Sequence, residues 1–266
     1  MKSNWYKLLS IVIVLFFIII FSVPGGSSGV IILNYHNIVE ENPSNEAEIR
    51  KEDFAAQMQY LYEHDYQALS LEEMINYYHK ESFPEKSVLI TFDDGYRSFY
   101  KKAFPILKDY NLNAVIFPIV SHLSEITPKI LWSDPLEFSD LRDMVKNSDI
   151  IEVGSHTYDL HYYSKEDQPA VMQKPEESEK EYIERIEQDL RLSRDLLEVQ
   201  IEKEVKALAW PFGIKTEKTE QIALNNNFKY MFTVEQEEFT SNHSLTQIPR
   251  FSVTQGCIEA FKELLN

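Results

Sequence analysis

The chain has 266 residues, 44% of them hydrophobic and 26% charged, a globular composition long enough to bury a core without disulfides or a structural metal. Its formal charge of −17 argues against a nucleic-acid partner, whose phosphates it would repel; it suits a neutral or cationic partner, or simply solubility. Cys257 is the only cysteine, which excludes an intrachain disulfide and a cysteine-based zinc site.

Lys2 and Lys7 precede an unbroken apolar run over 11–21, the pattern of an export signal. The apolar stretch 8–23 falls slightly short of the ~20 residues that span a bilayer, and Trp5 and Tyr6 can anchor at its interface. Residues 1–28 therefore read as a hydrophobic signal-anchor helix, or alternatively a cleaved signal peptide, with a short linker. Either form places a single domain, 29–266, outside the cytoplasm, the anchor holding it on the cytoplasmic membrane.

From there, apolar β-rich runs alternate with helical patterns. GVIILNYHNI (29–38) reads as a buried strand. KEDFAAQMQYLYEHD (51–65) sets Phe54, Met58, Leu61 and Tyr62 on one helical face, with Asp53 as the N-cap. In SLEEMINYYHK (70–80), Ser70 and Glu73 form a capping-box pattern. A strand at 88–92, a helix at 97–109 and a strand at 113–120 follow, then a helix over 136–148 capped at Ser139 and a strand at 150–156. The charged run 173–200 reads as a long helix with a solvated face and no chemistry. A strand at 205–213, a helix near 217–226, a strand at 229–234, the run QIPRFSV (247–253) and a closing helix at 258–265 complete the chain.

Such alternation implies α/β architecture, with parallel strands joined by crossover helices. In one large domain its simplest form is a single (β/α) barrel, whose functional groups gather at the carboxyl ends of the strands. Those ends carry Tyr35-His36, Asp93-Asp94-Gly95, His156 with His161 beyond it, and Pro211-Phe212-Gly213, while the last run carries Arg250. His156 and His161 are five apart, the wrong spacing for a helical ligand pair. At a strand end followed by a turn they can converge. Two histidines and one carboxylate make a three-ligand zinc site with an open fourth position, which leaves the second aspartate free to take a proton. Taken singly, each segment has a plainer reading: an acidic turn or helix cap for Asp93-Asp94, two unrelated histidines for the pair. Trp132, Trp210, Tyr35 and Tyr158 are candidate sugar-stacking aromatics or, equally, core residues.

TFDDG (91–95), SHTYDLH (155–161) and AWPFG (209–213) resemble the first three motifs of the polysaccharide deacetylases, the carbohydrate esterase family 4 or NodB-homology domain. The resemblance covers 29–266. More narrowly it is similar to the branch acting on poly-β-1,6-N-acetylglucosamine in biofilm exopolysaccharide. The longer H-T-x-x-L-H spacing and LNYHNI lying ahead of TFDDG, a permuted order with the general-acid histidine first, carry that narrower likeness.

The resemblance implies a distorted TIM-like (β/α)7 deacetylase fold. It implies Asp94, His156 and His161 as ligands of Zn²⁺, with Co²⁺ or Ni²⁺ as alternatives, Asp93 as general base and His36 as general acid. Phe212 stands beside Pro211 where the family usually has tyrosine; its backbone N–H would make the oxyanion contact. The family's usual third-motif arginine is not evident, and Arg250 is a candidate carboxylate partner. The implied activity is hydrolysis of N-acetyl groups from a cell-surface N-acetylglucosamine polymer by an extracytoplasmic monomer, with acetate as product. Peptidoglycan is the alternative substrate. A non-catalytic glycan-binding domain, the alternative of another class, predicts loss of at least one of Asp93, Asp94, His156 and His161, and all four are present. A two-carboxylate glycoside hydrolase needs acids ~5–10 Å apart, which an adjacent pair does not naturally supply.

Overall fold

A computed structural model describes residues 29–123, 134–164, 167–254 and 258–265. The expected N-terminal hydrophobic helix and Trp132 lie outside the described residues. Among the described residues, no helix is long and apolar enough to cross a membrane.

The elements run β1 (Gly29–Tyr35), β2 (Asn37–Val39), β3 (Glu48–Arg50), α1 (Lys51–Glu63), β4 (Gln67–Ala68), α2 (Leu71–His79) and β5 (Ser87–Asp94). A π-helical turn, Phe99–Ala103, leads into α3 (Phe104–Tyr110), followed by β6 (Ala114–Pro118), α4 (Phe138–Asn147), β7 (Ile151–Val153) and α5 (Glu179–Ile201). The chain then forms β8 (Ala207–Ala209), α6 (Glu217–Asn225), β9 (Tyr230–Phe232), β10 (Phe239–Thr240), β11 (Phe251–Ser252) and α7 (Ile258–Leu264).

β1, β5, β6 and β7 are neighbouring parallel strands, with β4 added to β5, β11 parallel to β1 and β10 antiparallel to β1. β5 is buried along its whole length, as expected of a parallel strand covered on both faces. The pleat sorts its side chains: Val88, Ile90 and Phe92 join a core with residues of α1, α3, α4 and α5. Leu89 instead joins Val30, Ile32, Val115, Phe117, Ala207, Ala209 and Phe232 in a second core on the other face of β5, which also includes Leu71, Met74 and Ile75 of α2.

The strands do not close into a continuous barrel ladder among the described residues. β8 and β9 form a separate two-stranded sheet, joined to the rest by single parallel bridges, Ser155 to Leu208 and Phe232 to Ile248. The physical reason is length. β7, β8 and β9 have three residues each and β11 two, too few to sustain ladders on both sides.

Two expected caps differ. α1 begins at Lys51 behind Arg50, and Asp53 instead pairs with the Arg50 guanidinium from the first turn. α4 is capped by Glu137 in a capping box with Asp140, leaving Ser139 inside the helix. The Ser70–Glu73 box forms as read, and the long helix starts later than expected, behind Ser178 boxed with Glu181.

Candidate active site

The pleat that sends Leu89 inward sends Thr91 and Asp93 the same way, and Asn34 of β1 pairs with Thr91. Asp93 is thus a buried carboxylate at the end of the inner core. It is met by Arg250, fully buried ahead of β11, whose Nη1 and Nη2 donate to Asp93 Oδ1 and Oδ2 at 2.8 Å each. Arg250 also donates to Asn34 Oδ1 at 3.0 Å and to the Thr233 carbonyl at 3.0 Å. Its guanidinium carbon lies 5.7 Å from the ring centres of both Phe117 and Phe232. Asn34 Nδ2 donates to Asp93 Oδ2 at 3.2 Å. Burial alone would raise the Asp93 pKa; the Arg250 charge, then His156, the Arg250 hydrogen bonds and His36 outweigh it and hold the carboxyl well below the usual range.

Strand alternation alone would send Asp94 to the opposite side. The backbone instead turns at Asp94, φ 70°, and Gly95, φ 84°, conformations that the glycine adopts at no steric cost. A side chain at 95 would also collide with Pro118, whose Cβ would lie 2.9 Å from an added Cβ. Asp94 Oδ1 lies 3.5 Å from Nε2 of His156 and 3.5 Å from Nε2 of His161. His156 sits just beyond β7, buried, and its Nδ1–H donates to the Ala209 carbonyl at 2.8 Å, which leaves the Nε2 lone pair directed at Asp94. Burial lowers His156 to about 3 and His161 to about 4, so both rings are neutral at pH 7, the ligand form. Burial and the Asp93 charge push Asp94 up to about 8.

The remaining candidates fall in different places. His36 directly follows the carboxyl end of β1, and burial lowers its pKa against the opposing charge of Asp93. Pro211 is buried. Phe212 has φ 58°, and its ring centre lies 4.4 Å from His161 and 4.6 Å from Tyr163. Of the candidate stacking aromatics, two take the core alternative. Trp210 and Tyr35 are fully buried, Tyr35 donating its hydroxyl to Gln57, and Tyr158 packs on the core. Among the described residues, Tyr163, 47% exposed, offers aromatic surface beside the site, its ring against Phe212.

The sequence profile of the polysaccharide deacetylases matches residues 80–231. This chain belongs to the polysaccharide deacetylase family. The deacetylase is 30% identical over 245 residues to the poly-beta-1,6-N-acetyl-D-glucosamine N-deacetylase of Staphylococcus aureus, covering 87% of this chain and 81% of the relative. Among solved structures, the de-N-acetylase from Aggregatibacter actinomycetemcomitans superposes with TM-score 0.76 at 25% identity, covering 88% of this chain and 99% of that one. IcaB from Ammonifex degensii gives 0.74 at 25% identity, covering 90% and 97%. The chain is thus a polysaccharide N-deacetylase with the α/β fold of its family.

The donor set of the deacetylase fits a divalent cation. Asp94 Oδ1 is buried without a hydrogen-bond partner, and the ligand atoms of Asp94, His156 and His161 lie within 4.8 Å of one another. A buried carboxyl oxygen without a hydrogen-bond partner, facing the Nε2 atoms of two imidazoles, is a donor set that a cation would satisfy. Ligands on a tetrahedral ion at about 2.1 Å would stand about 3.4 Å apart, close to the 3.5 Å between Asp94 Oδ1 and each Nε2.

Two supporting residues escaped the sequence reading. Asn34, one residue before the Tyr35-His36 strand end, braces both Asp93 and Arg250; its inward parity with Val30 and Ile32 was the available signal. Asp189 of α5 accepts the backbone N–H groups of Tyr158 and Asp159 at 2.8 Å each, and nothing local to the helix sequence announces it.

Proposed function

We propose that this enzyme hydrolyses N-acetyl groups from a cell-surface N-acetylglucosamine polymer, poly-β-1,6-N-acetylglucosamine, in a metal-dependent reaction that releases acetate and leaves glucosamine, as part of biofilm exopolysaccharide maturation. The observation that carries this reading is the Asp94–His156–His161 cluster beside a separately tethered Asp93. The name of the Staphylococcus aureus relative supports the choice of polymer. Residues 29–266 form the catalytic domain, built on a distorted barrel, and residues 1–28 direct it to the extracytoplasmic surface.

Asp94, His156 and His161 hold the cation, Zn²⁺ before Co²⁺ or Ni²⁺, which when bound supplies Lewis acidity to the acetamide carbonyl and to water. Asp93, anionic and fixed by Arg250, takes the proton of the attacking water. The Phe212 backbone N–H donates to the oxyanion that develops on the carbonyl oxygen. His36 gives a proton to the departing nitrogen, which leaves poorly as an amide anion. Water adds to the acetyl carbon, the C–N bond breaks, and acetate and an amine result. Tyr163 and Phe212 offer a ring surface to an apolar pyranose face.

The deciding experiment incubates the purified chain, with and without chelator, with β-1,6- and β-1,4-linked N-acetylglucosamine oligomers and measures acetate. Release from the β-1,6 series, abolished by chelator and restored by Zn²⁺, is expected. Preference for the β-1,4 series would redirect the reading to peptidoglycan. Unchanged release after chelation would sink the metal assignment, and no release from either series would favour a glycan-binding domain.

A further inference from the structure

The long helix α5 presents charged residues to solvent, yet its buried side carries two polar groups one turn apart, Asp189 and Ser193. Asp189 reaches the short segment that separates His156 from His161, and Ser193 reaches Ser155 just ahead of it. Asp189 Oδ1 accepts the N–H of Tyr158 and Oδ2 that of Asp159, each at 2.8 Å. Ser193 Oγ accepts from Ser155 Oγ at 2.9 Å, and Ser155 Oγ in turn accepts the Thr157 N–H at 3.0 Å. Thr157 occupies the left-handed region, φ 72°, which a β-branched residue adopts only under constraint; its hydroxyl accepts the Leu160 N–H at 3.1 Å.

A segment this short, turning through a strained threonine, sets the distance between the two imidazoles. Two successive amides that donate to the two oxygens of a single buried carboxyl group fix it. Burying that carboxylate has a desolvation cost, and its two acceptor atoms are both spent on this turn. We propose that Asp189 is a positioning residue: without touching the cation, it holds the His156–His161 turn in the spacing that binds a divalent ion, with Ser193 supporting the same turn. This rests on the metal-site reading above.

The test is titration of the metal-free full chain with Co²⁺, followed by visible absorption, which reports ligand number and geometry, and by calorimetry. Wild type is expected to take up one equivalent. Asp189→Ala should bind about 10–100-fold more weakly, as loss of outer-shell support does at other metal sites, with an altered Co²⁺ spectrum. Asp189→Asn, which keeps one acceptor, should fall between the two, and it carries the test should the alanine variant fail to fold. A folded Asp189 variant with wild-type affinity and spectrum, its melting temperature alone reduced, would overturn the proposal and leave Asp189 a purely structural brace. A wild-type chain that takes up no Co²⁺ would overturn the metal reading itself, and this inference with it.

Discussion

Asp93 and Arg250, 157 residues apart in sequence, meet in two parallel hydrogen bonds of 2.8 Å. The fork fixes the carboxylate plane and keeps it ionised, since the depressed pKa lies below the ordinary 3.8. Arg250→Lys keeps a charge but not the planar fork, so kcat should fall about 10–100-fold while metal uptake is retained. Arg250→Ala leaves a buried anion unpaired and should cost about 3–5 kcal/mol of stability. The stabilisation is present above the unfolded pKa and is lost as pH falls through the depressed folded value. Urea titrations at pH 7 and pH 3 should therefore show the wild-type advantage over Arg250→Ala shrinking in acid. An equal advantage at both would refute the coupling.

The proton acceptor and the metal ligands should separate cleanly by mutation. Asp93→Asn removes the proton acceptor and leaves the Asp94, His156 and His161 donors intact. It should lose turnover by about 10²–10⁴-fold yet still bind one Zn²⁺. His161→Ala removes a ligand and should lose both. Calorimetric Zn²⁺ titration alongside acetate release distinguishes them, and an Asp93→Asn protein unable to bind metal would show that the roles are assigned wrongly.

Tyr163 is an exposed aromatic beside the cluster, its ring centre 4.6 Å from that of Phe212 in a tilted contact. Tyr163→Ala should raise KM for long oligomers about five- to tenfold, roughly 1 kcal/mol of ring contact, with kcat little changed. Tyr163→Phe should behave as wild type. A kcat effect without a KM effect would place the ring in the chemistry instead of in substrate binding.

Much of this was legible because strand ends mark themselves. Apolar runs stopping at Asp93-Asp94-Gly95, at His156 and at Pro211-Phe212-Gly213 announce a functional face before any contact is known. What the sequence hides is distance and facing. Asp189 lies among charged neighbours on a helix, 33 residues after His156, and only packing reveals that it turns inward. Aromatic identity likewise says nothing about exposure: Trp210 and Tyr35 are core residues, whereas Tyr163 is not. Ladder closure could not be read either, because it depends on strands two or three residues long, below what periodicity resolves.

Asp189 gives a pH test independent of activity. Burial pushes its carboxyl up to about 7, against the two backbone N–H bonds that favour the anion. A folded pKa above the unfolded 3.8 means that its contribution to stability is full below about pH 4 and is lost as pH rises through 7. With chelator present, the stability of wild type relative to Asp189→Asn should therefore decline between pH 4 and pH 8. Urea midpoints at four or five pH values measure this, and a difference that stays flat or rises with pH would contradict it.

Gly95 supplies the last test, because the direction of Asp94 depends on it. At φ 84°, with the Pro118 Cβ 2.9 Å from where a new methyl would sit, an alanine is strained both in its backbone and against its neighbour. Gly95→Ala should cost about 1–3 kcal/mol, seen as a lower melting temperature. The backbone should relieve the strain by rotating at the adjacent left-handed Asp94, moving Oδ1 away from the two Nε2 atoms, so Zn²⁺ affinity should fall as well, although residue 95 contributes no ligand. A Gly95→Ala protein that melts lower but binds Zn²⁺ as wild type does would show that the Asp94 carboxylate is held by its surroundings and not by the turn.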